Sequence, residues 1–183
     1  SRDELLSVAT ALEGHPDNVA PALFGGLTAS AVEAGIPLSV HYPLSPKLHF
    51  TALIPPFELS TALSRGVLPH DVPRADAIFN VSRAALLLSA LGSGDIALLR
   101  AAMADRLHEP YRRALIDGYD TARGLAYKHG AEAMCISGAG STLLCVAAHP
   151  TLAGDISADL AAHLPGWRAV TLLPELEGAH VEE

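Results

Sequence analysis

Cysteine is scarce in this sequence. The 183 residues include only Cys135 and Cys145, each inside an apolar segment and outside any CxxC or Cys/His arrangement. A disulfide framework and a zinc site of the usual spacing are therefore not expected. The two cysteines instead predict buried free thiols in a reducing compartment.

Basic residues and long apolar runs are also scarce. Twelve Lys and Arg stand against twenty Asp and Glu, for a net charge of −8, and they form no basic stripe. Binding to a nucleic-acid backbone is therefore not expected. No apolar run reaches the roughly 18 uncharged residues that span a membrane, and the first residues lack the layout of a signal peptide. The sequence predicts a soluble, cytoplasmic protein without a membrane partner.

The chain is rich in apolar residues, and their spacing indicates helices and strands. Half of its residues are hydrophobic, which is enough to bury a core in one domain or slightly more. The apolar spacing predicts helices over residues 3–12, 19–24, 60–68, 75–91, 96–103, 111–128 and 152–164, and strands over residues 27–32, 38–42, 49–54, 133–136, 142–147 and 168–173. Residues 35–37 are predicted as the turn between the first two strands. This order predicts an α+β fold with an antiparallel sheet.

One segment, EGHPDNVAP over residues 13–21, carries an unusual density of polar side chains. Glu13, His15, Asp17 and Asn18 can all exchange hydrogen bonds or protons with a small polar ligand. A turn alone would explain the Pro, Asp and Asn residues, and Asn18 could simply cap the helix that follows. Both interpretations, structural and ligand-binding, are open at this point.

A glycine-rich turn, SGAGST over residues 137–142, joins two predicted strands. Its backbone amides and hydroxyls are what a site needs to approach an anionic group closely. It is neither a Walker loop nor the dinucleotide-binding GxGxxG motif. A hairpin turn without further function is the alternative.

Two arginines offer a way of holding an acidic ligand. Arg65 ends one predicted helix, and Arg112 closes the sequence EPYR at residues 109–112. Guanidinium groups bind carboxylates and phosphates by paired hydrogen bonds. Surface ion pairs are the alternative role for both.

These segments together resemble a known family. The EGHPDNVAP sequence with Gly25 and Gly26 is similar to the segment that marks homoserine kinases, members of the GHMP kinase superfamily. Further similarities follow in the same order, at residues 61–69, at the EPYR sequence, at residues 116–119 and in the glycine-rich turn. The resemblance spans nearly the whole chain.

The resemblance implies ATP-dependent phosphorylation of the L-homoserine hydroxyl, with Mg²⁺, on the route to threonine. Phosphoryl transfer asks a protein mainly to position two anionic reactants. By this likeness the catalytic residues would be His15, Asp17 and Asn18, the substrate-binding residues Asn18, Thr61, Arg65 and Arg112, the ATP-binding residues Gly138, Gly140, Ser141 and Thr142, and the metal ligand Glu13. Glu4 is a weaker candidate for the metal. Whether Asp17 acts as a general base stays open.

The resemblance also implies a domain layout. Residues 1–45 would be the end of a ribosomal-protein-S5-domain-2-like nucleotide-binding lobe, and residues 46–183 a ferredoxin-like GHMP kinase C-terminal lobe. A homodimer is one assembly that this likeness allows. Another GHMP kinase, or a non-catalytic module that keeps only the substrate pocket, are the alternative functions.

The chain departs from the family pattern at two points. No segment resembles PxxxGLGSSAA, the family's loop around the ATP phosphates, so we expect that loop upstream of Ser1 and an isolated chain that is inactive. Ser141 stands where the family's glycine motif usually has proline. This change is expected to loosen the turn while keeping its amides.

Overall fold

A computed structural model describes residues 1–180 of the chain. The chain forms two compact units. The first contains residues Ser1–Leu44 and the segment that begins at Leu173, and the second contains Ser45–Leu172.

The first unit consists of two helices and a two-stranded sheet. Its elements are α1 (Arg2–Glu13), α2 (Val19–Phe24), β1 (Leu27–Glu33) and β2 (Ile36–Tyr42). A capping box starts α1, since the Ser1 hydroxyl accepts from the Glu4 amide and the Glu4 side chain bonds back to the first residue. Gly14, at a φ of 93°, ends this helix. All four elements match the predicted ones.

The antiparallel hairpin β1–β2 turns slightly earlier than predicted. Ala34 and Gly35 both have positive φ values, 50° and 82°, and Glu33 pairs with Ile36 across the turn. A two-residue hairpin loop needs this conformation to match the twist of its strands. The turn therefore lies at residues 34–35, and the predicted turn residue Ile36 is the first of β2.

The C-terminal segment, residues 173–180, belongs to the first unit. The Gly26 amide donates to the Glu175 carbonyl at 2.7 Å, and the Ala179 amide donates to the Ala22 carbonyl at 2.9 Å. This segment is part of the second domain in the predicted layout. In the structure its backbone bonds join it to α2 and to Gly26, just before β1.

A four-stranded antiparallel sheet forms the centre of the second unit. Its strands are β3 (His49–Ile54), β4 (Ala131–Ile136), β5 (Leu143–Ala147) and β6 (Arg168–Leu172), in the spatial order β4-β5-β3-β6. Leu53 pairs with Leu143, and both are fully buried. Burial of these two central strands accounts for their nearly continuous apolar sequences.

Helices accompany this sheet along the second unit. They are α3 (Thr61–Gly66), α4 (Arg74–Ser93), α5 (Ile96–Ala102), α6 (Glu109–Arg112), α7 (Tyr119–Lys128) and α8 (Leu152–His163). One apolar cluster packs α7 and α8 with the sheet and includes Ile156 and Leu160. A second cluster includes Leu99 of α5 and Val146 of β5. The predicted α+β class is confirmed.

The prediction of one helix over residues 111–128 is wrong. Helix α6 continues into a short 3₁₀ turn at Arg113–Leu115, and α7 begins only at Tyr119. Gly118 lies between them with a φ of 83°, in the left-handed region that ends helical runs. The helical spacing of apolar residues continues across this break, because Ile116, which lies between the two helices, is also buried.

Helix α4 is less buried than its apolar sequence predicts. Ala90 is its only residue that counts as buried, while Ile78 and Val81 are 57% and 73% exposed. By length and composition alone, this is also the one helix in the described part of the chain that could cross a membrane.

Candidate functional site

The polar segment forms the connection between α1 and α2. His15 is half-buried, and its Nδ1 atom is hydrogen-bonded to the carboxylate of the exposed Asp17. The carboxylate therefore orients the imidazole ring. Pro16, between them, is buried and fixes the backbone that carries both side chains.

Asn18 occupies the N-cap position of α2 without capping it. Its side chain makes no cap hydrogen bond among the described residues. Its backbone amide instead donates to Asp17 Oδ1 at 3.0 Å. The predicted helix is confirmed, but the structural explanation for this asparagine is not, and its exposed carboxamide stays available to a ligand.

The two candidate metal ligands differ in their surroundings. Glu13 is exposed at the end of α1, whereas the carboxylate of Glu4 lies 2.6 Å from the amino group of Ser1. Within residues 1–180, no group of three or more His, Cys, Asp or Glu side chains could hold a metal ion. A Mg²⁺ ion that travels with a nucleotide needs only one or two carboxylates, since phosphates and water complete its shell. Glu13 fits that role, and a metal cage made by the protein alone does not fit.

A cavity of about 410 Å³ opens in the second unit. It lies between α4, the segment that leads into α6, strand β4 and the glycine-rich turn. The polar residues that line it are Asn80, Arg83, Asp105, His108, Glu109 and Arg112, with Gly138 at the turn. We call it the arginine cavity.

Arg112 connects three of the predicted site segments. Its Nε donates to the Ser64 carbonyl of α3 at 3.1 Å, and its Nη1 donates to the Gly138 carbonyl at 3.1 Å. These bonds use two of the five N–H groups of the guanidinium. The side chain is therefore fixed in place while its remaining donors can reach a ligand.

Helix α3 holds the other predicted substrate residues. The Ser60 hydroxyl caps it by accepting from the Leu63 amide at 3.1 Å. Thr61, the first residue of α3, and Arg65 near its end are both exposed. Arg65 is not among the described residues that line the arginine cavity.

The glycine-rich turn is closed by its own hydrogen bonds. The Ser137 amide donates to the Thr142 carbonyl and the Gly140 amide to the Ser137 carbonyl, both at 2.9 Å. Ser141 is buried, and its hydroxyl donates to the Phe57 carbonyl at 2.6 Å. The hydroxyl thereby ties the turn to a neighbouring segment, and the expected loosening relative to proline stays a prediction.

Five of the polar residues that line the arginine cavity are not among the predicted site residues: Asn80, Arg83, Asp105, His108 and Glu109. Asn80 and Arg83 lie three positions apart on α4, and Asp105 lies just before α6. An asparagine and an arginine within an otherwise apolar helix are a signal that could have identified two of them. Nothing in the sequence marks the carboxylate at position 105.

Asp105 organises the entry to α6. Its Oδ1 accepts from Asn80 Nδ2 at 2.5 Å and from the Leu107 amide at 2.8 Å. Its Oδ2 accepts from the amides of His108 and Glu109, at 2.8 and 2.5 Å. Burial alone would raise the pKa of this carboxyl, but the His108 imidazole, 3.6 Å from Oδ1, and the bonds from Glu109, Asn80 and Leu107 together hold the pKa well below its ordinary value. The charged side chain thereby fixes the first turn of the helix that carries Arg112.

The family comparison identifies the class of this fold. Residues 87–166, which run from α4 through α8, match the family described as GHMP kinases C terminal. The second unit therefore contains a GHMP kinase C-terminal domain.

The individual relatives that the chain matches most strongly in sequence are named homoserine kinases. The homoserine kinase of Moorella thermoacetica is 48% identical over 141 residues, which are 77% of this chain and 48% of that protein. A Clostridium botulinum homoserine kinase is 38% identical over 98% of this chain and 61% of its own length. The crystal structure of the Cytophaga hutchinsonii homoserine kinase superposes with a TM-score of 0.82 at 26% identity, over 90% of this chain and 53% of that one. The chain thus spans about half the length of the curated relatives that it matches.

Proposed function

We propose that this chain is part of a homoserine kinase, which transfers the γ-phosphoryl group of ATP to the side-chain hydroxyl of L-homoserine. The observation that carries the proposal is the combination of a family match in the second unit with an exposed polar cluster in the first. In that cluster, the carboxamide of Asn18 does not make the capping hydrogen bond that a purely structural role would require. Its sequence is the one most characteristic of the resemblance.

The proposed roles follow the chemistry of each side chain. Asn18 hydrogen-bonds the acceptor hydroxyl, and the pair of His15 and Asp17 lines and orients the same pocket. Arg112 binds the substrate carboxylate with the donors that its two backbone bonds leave over, and Arg65 and Thr61 assist it. Positioning of this kind is the main contribution that proteins make to phosphoryl transfer.

The nucleotide is proposed to meet the glycine-rich turn. Gly138 and Thr142 would present backbone amides near the phosphates, and Ser141 would contribute through its backbone, since its hydroxyl is occupied. Gly140, whose amide is bonded to the Ser137 carbonyl, would shape the turn. Glu13 would give one oxygen to the Mg²⁺ ion that accompanies ATP. The metal would neutralise charge on the phosphates when bound.

Several finer features belong to the same proposal. The first unit would be the end of an S5-domain-2-like lobe, and the second a ferredoxin-like lobe, as the four-stranded antiparallel sheet with α7 and α8 suggests. The parent enzyme would act in the cytoplasm, in threonine biosynthesis. A homodimer is compatible with the proposal.

The test is a comparison of substrates with the full gene product. Homoserine, mevalonate and galactose are each incubated with Mg·ATP, and ADP release and the phosphorylated product are measured. Homoserine is expected to be phosphorylated far faster than the other two. Turnover of mevalonate or galactose alone would point to another GHMP kinase, and binding of homoserine without any turnover would point to a non-catalytic module.

A further inference from the structure

A second cavity, of about 340 Å³, lies within the second unit between α5, α6, α7 and β4. Asp105 and Glu109 line both this cavity and the arginine cavity, but Arg112 and the glycine-rich turn are not in its described lining. Three guanidinium groups from three different helical segments reach it, and they belong to Arg100, Arg113 and Arg123. We call it the second cavity. None of the roles proposed for homoserine phosphorylation uses these three arginines.

Arg100, on α5, is already paired by the fold. Its Nη2 donates to Glu132 Oε2 at 2.7 Å, and its Nε donates to the Glu132 carbonyl at 3.1 Å. These bonds balance its charge against that of Glu132 and fix the guanidinium at the cavity wall. Its Nη1 makes no hydrogen bond with residues 1–180, so this atom can donate to a ligand.

The other two arginines have no carboxylate partner in the described part of the chain. The exposed side chain of Arg113, in the 3₁₀ turn after α6, makes no hydrogen bond and no ion pair with residues 1–180. Arg123, on α7, is half-buried, and its guanidinium lies 5.7 Å from the centre of the Tyr127 ring. Contact with an aromatic face leaves most of the N–H groups in the guanidinium plane available. Both side chains can therefore donate to an anion.

The carboxylates of the second cavity do not satisfy these two arginines. Asp105 accepts four hydrogen bonds and lies beside the His108 imidazole, so its oxygens are occupied. Glu109 accepts from the Tyr119 phenol and forms no ion pair with residues 1–180. Two guanidinium groups thus share the one remaining carboxylate. A bound anion would balance the second positive charge.

The rest of the wall is largely apolar and sets the size of what can bind. Besides Tyr127 it consists of Met103, Ala104, Pro110, Ala133 and Met134. Apolar surroundings screen charge less than water does, so a contact between a guanidinium and an anion is stronger here than at an open surface. Small-molecule sites have volumes from about 300 Å³ upward. The second cavity therefore has room for a phosphate group with at most a small organic body.

We propose that the second cavity is a binding site for a phosphate group. Arg113 and Arg123 hold the phosphate oxygens, and Arg100 contributes its Nη1 as a further donor. Phosphate suits this arrangement better than a carboxylate does, because its oxygens accept paired hydrogen bonds from more than one guanidinium and its charge is about −1.5 to −2 at pH 7. The ligand is either inorganic phosphate or a small phosphate monoester, which share this chemistry.

Calorimetry on the full gene product tests the site. Homoserine and a non-hydrolysable Mg·ATP analogue are kept saturating, so that the proposed active site is filled. Inorganic phosphate or phenyl phosphate is then titrated at constant ionic strength, with potassium chloride as the blank. We expect one saturable site with a Kd below about 1 mM.

Two pairs of variants assign the binding to the second cavity. Arg113→Gln and Arg123→Gln should each raise the Kd about tenfold or more, because each removes charge-assisted hydrogen bonds to the phosphate. The matched controls are Arg83→Gln, which changes the lining of the arginine cavity alone, and Arg74→Gln, which lies outside the described lining of both cavities. Both controls should keep the wild-type Kd. Thermal unfolding without phosphate shows whether each variant is folded.

The outcomes are distinct for the site and for the proposed function. Tighter binding of phenyl phosphate supports the site with a monoester as its ligand, and equal binding supports it with inorganic phosphate. Absence of saturable binding, or a Kd that is unchanged in folded Arg113→Gln and Arg123→Gln variants, overturns the proposal. Homoserine turnover is measured separately on the wild-type protein. Turnover without phosphate binding leaves the proposed function standing, and phosphate binding without turnover leaves only the site.

Discussion

At the scale of single residues, Asn18 is the position where a substitution should affect catalysis without affecting stability. Because its side chain makes no capping bond, Asn18→Ala should change the free energy of unfolding by less than about 0.5 kcal/mol. On the full gene product the same change should lower kcat at least about tenfold with little change in the KM for ATP, since positioning of the hydroxyl is lost. Steady-state kinetics and thermal unfolding measure the two effects.

Asp95 provides the matched control for this substitution. It caps α5 by accepting from the Leu98 amide at 3.0 Å, so Asp95→Ala should cost about 1 kcal/mol of stability. Its effect on kcat should be small. A reversed pattern, with stability lost at position 18, would make the asparagine a structural cap.

The two cysteines give a second prediction at this scale. Burial raises the pKa of the Cys135 thiol to about 11, assisted by the charges of Glu109 and Asp105, and burial raises that of Cys145 to about 12. Since the thiolate is the reactive form, alkylation at pH 8 should be roughly a hundredfold slower in the folded protein than in urea. Timed iodoacetamide labelling with mass spectrometry measures both rates. Equal rates in the two conditions would contradict the burial of these thiols.

At the scale of elements, the start of α6 depends on one carboxylate. Asp105→Asn removes acceptors from backbone amides, so the second unit should lose about 2 kcal/mol of stability at pH 7. The pKa of Asp105 is lowered in the fold from 3.8. Its contribution is therefore present above about pH 4 and is lost as the pH falls further. Urea unfolding between pH 7 and pH 2.5 should show that the free energy of unfolding falls less steeply toward acid pH in the variant than in the wild-type protein. We call this acid part of the curve the acid limb.

Asp76→Asn is the control for that experiment. Asp76 forms a partly exposed ion pair with Arg106 at 3.2 Å, and such pairs contribute less than about 1 kcal/mol. The control should keep the acid limb of the wild-type protein. An Asp105→Asn variant with the same acid limb as this control would refute the role of the carboxylate.

Elements with a strong local signal could be predicted from the sequence. The apolar spacing of α1 and the apolar run of β3 are such local signals. The break between α6 and α7 was not predicted, because the buried Ile116 keeps the helical spacing through it. A local pattern does not show where the backbone leaves the helical region.

The site could be predicted only in part, for a related reason. The segments around Asn18 and Arg112 were found because their residue types are dense and distinctive. Arg83 and Arg112 are 29 positions apart in the chain. They line the same cavity only because α4 packs beside β4 and the glycine-rich turn. Contacts of that range leave no pattern in a single sequence.

At the scale of the whole molecule, two glycines, Gly25 and Gly178, lie where the C-terminal segment packs against the rest of the first unit. A Cβ at Gly178 would lie 2.4 Å from the Leu23 carbonyl oxygen and 2.6 Å from the Gly25 amide nitrogen. Both are backbone atoms that cannot move aside, and the φ of Gly178 is 72°. Gly178→Ala should therefore loosen this segment by about 2 kcal/mol or more.

Hydrogen exchange locates that effect. The amides of Gly26 and Ala179, which bond across the contact, should exchange faster in the variant. Amides of the β3–β5 pairing should keep their rates. Gly154→Ala is the control, since a Cβ there meets nothing within 4 Å. Equal acceleration in both units would show that they unfold as one body.

The route of the chain, out of the first unit and back into it, also sets an order of events during synthesis. Residues 45–172 are complete and can pack their sheet before residues 173–180 emerge from the ribosome. The amide of Gly26 is made early, yet its acceptor at Glu175 is translated only after the whole second unit. The hydrogen bond between the Gly26 amide and the Glu175 carbonyl can therefore form only after the second unit has been synthesised.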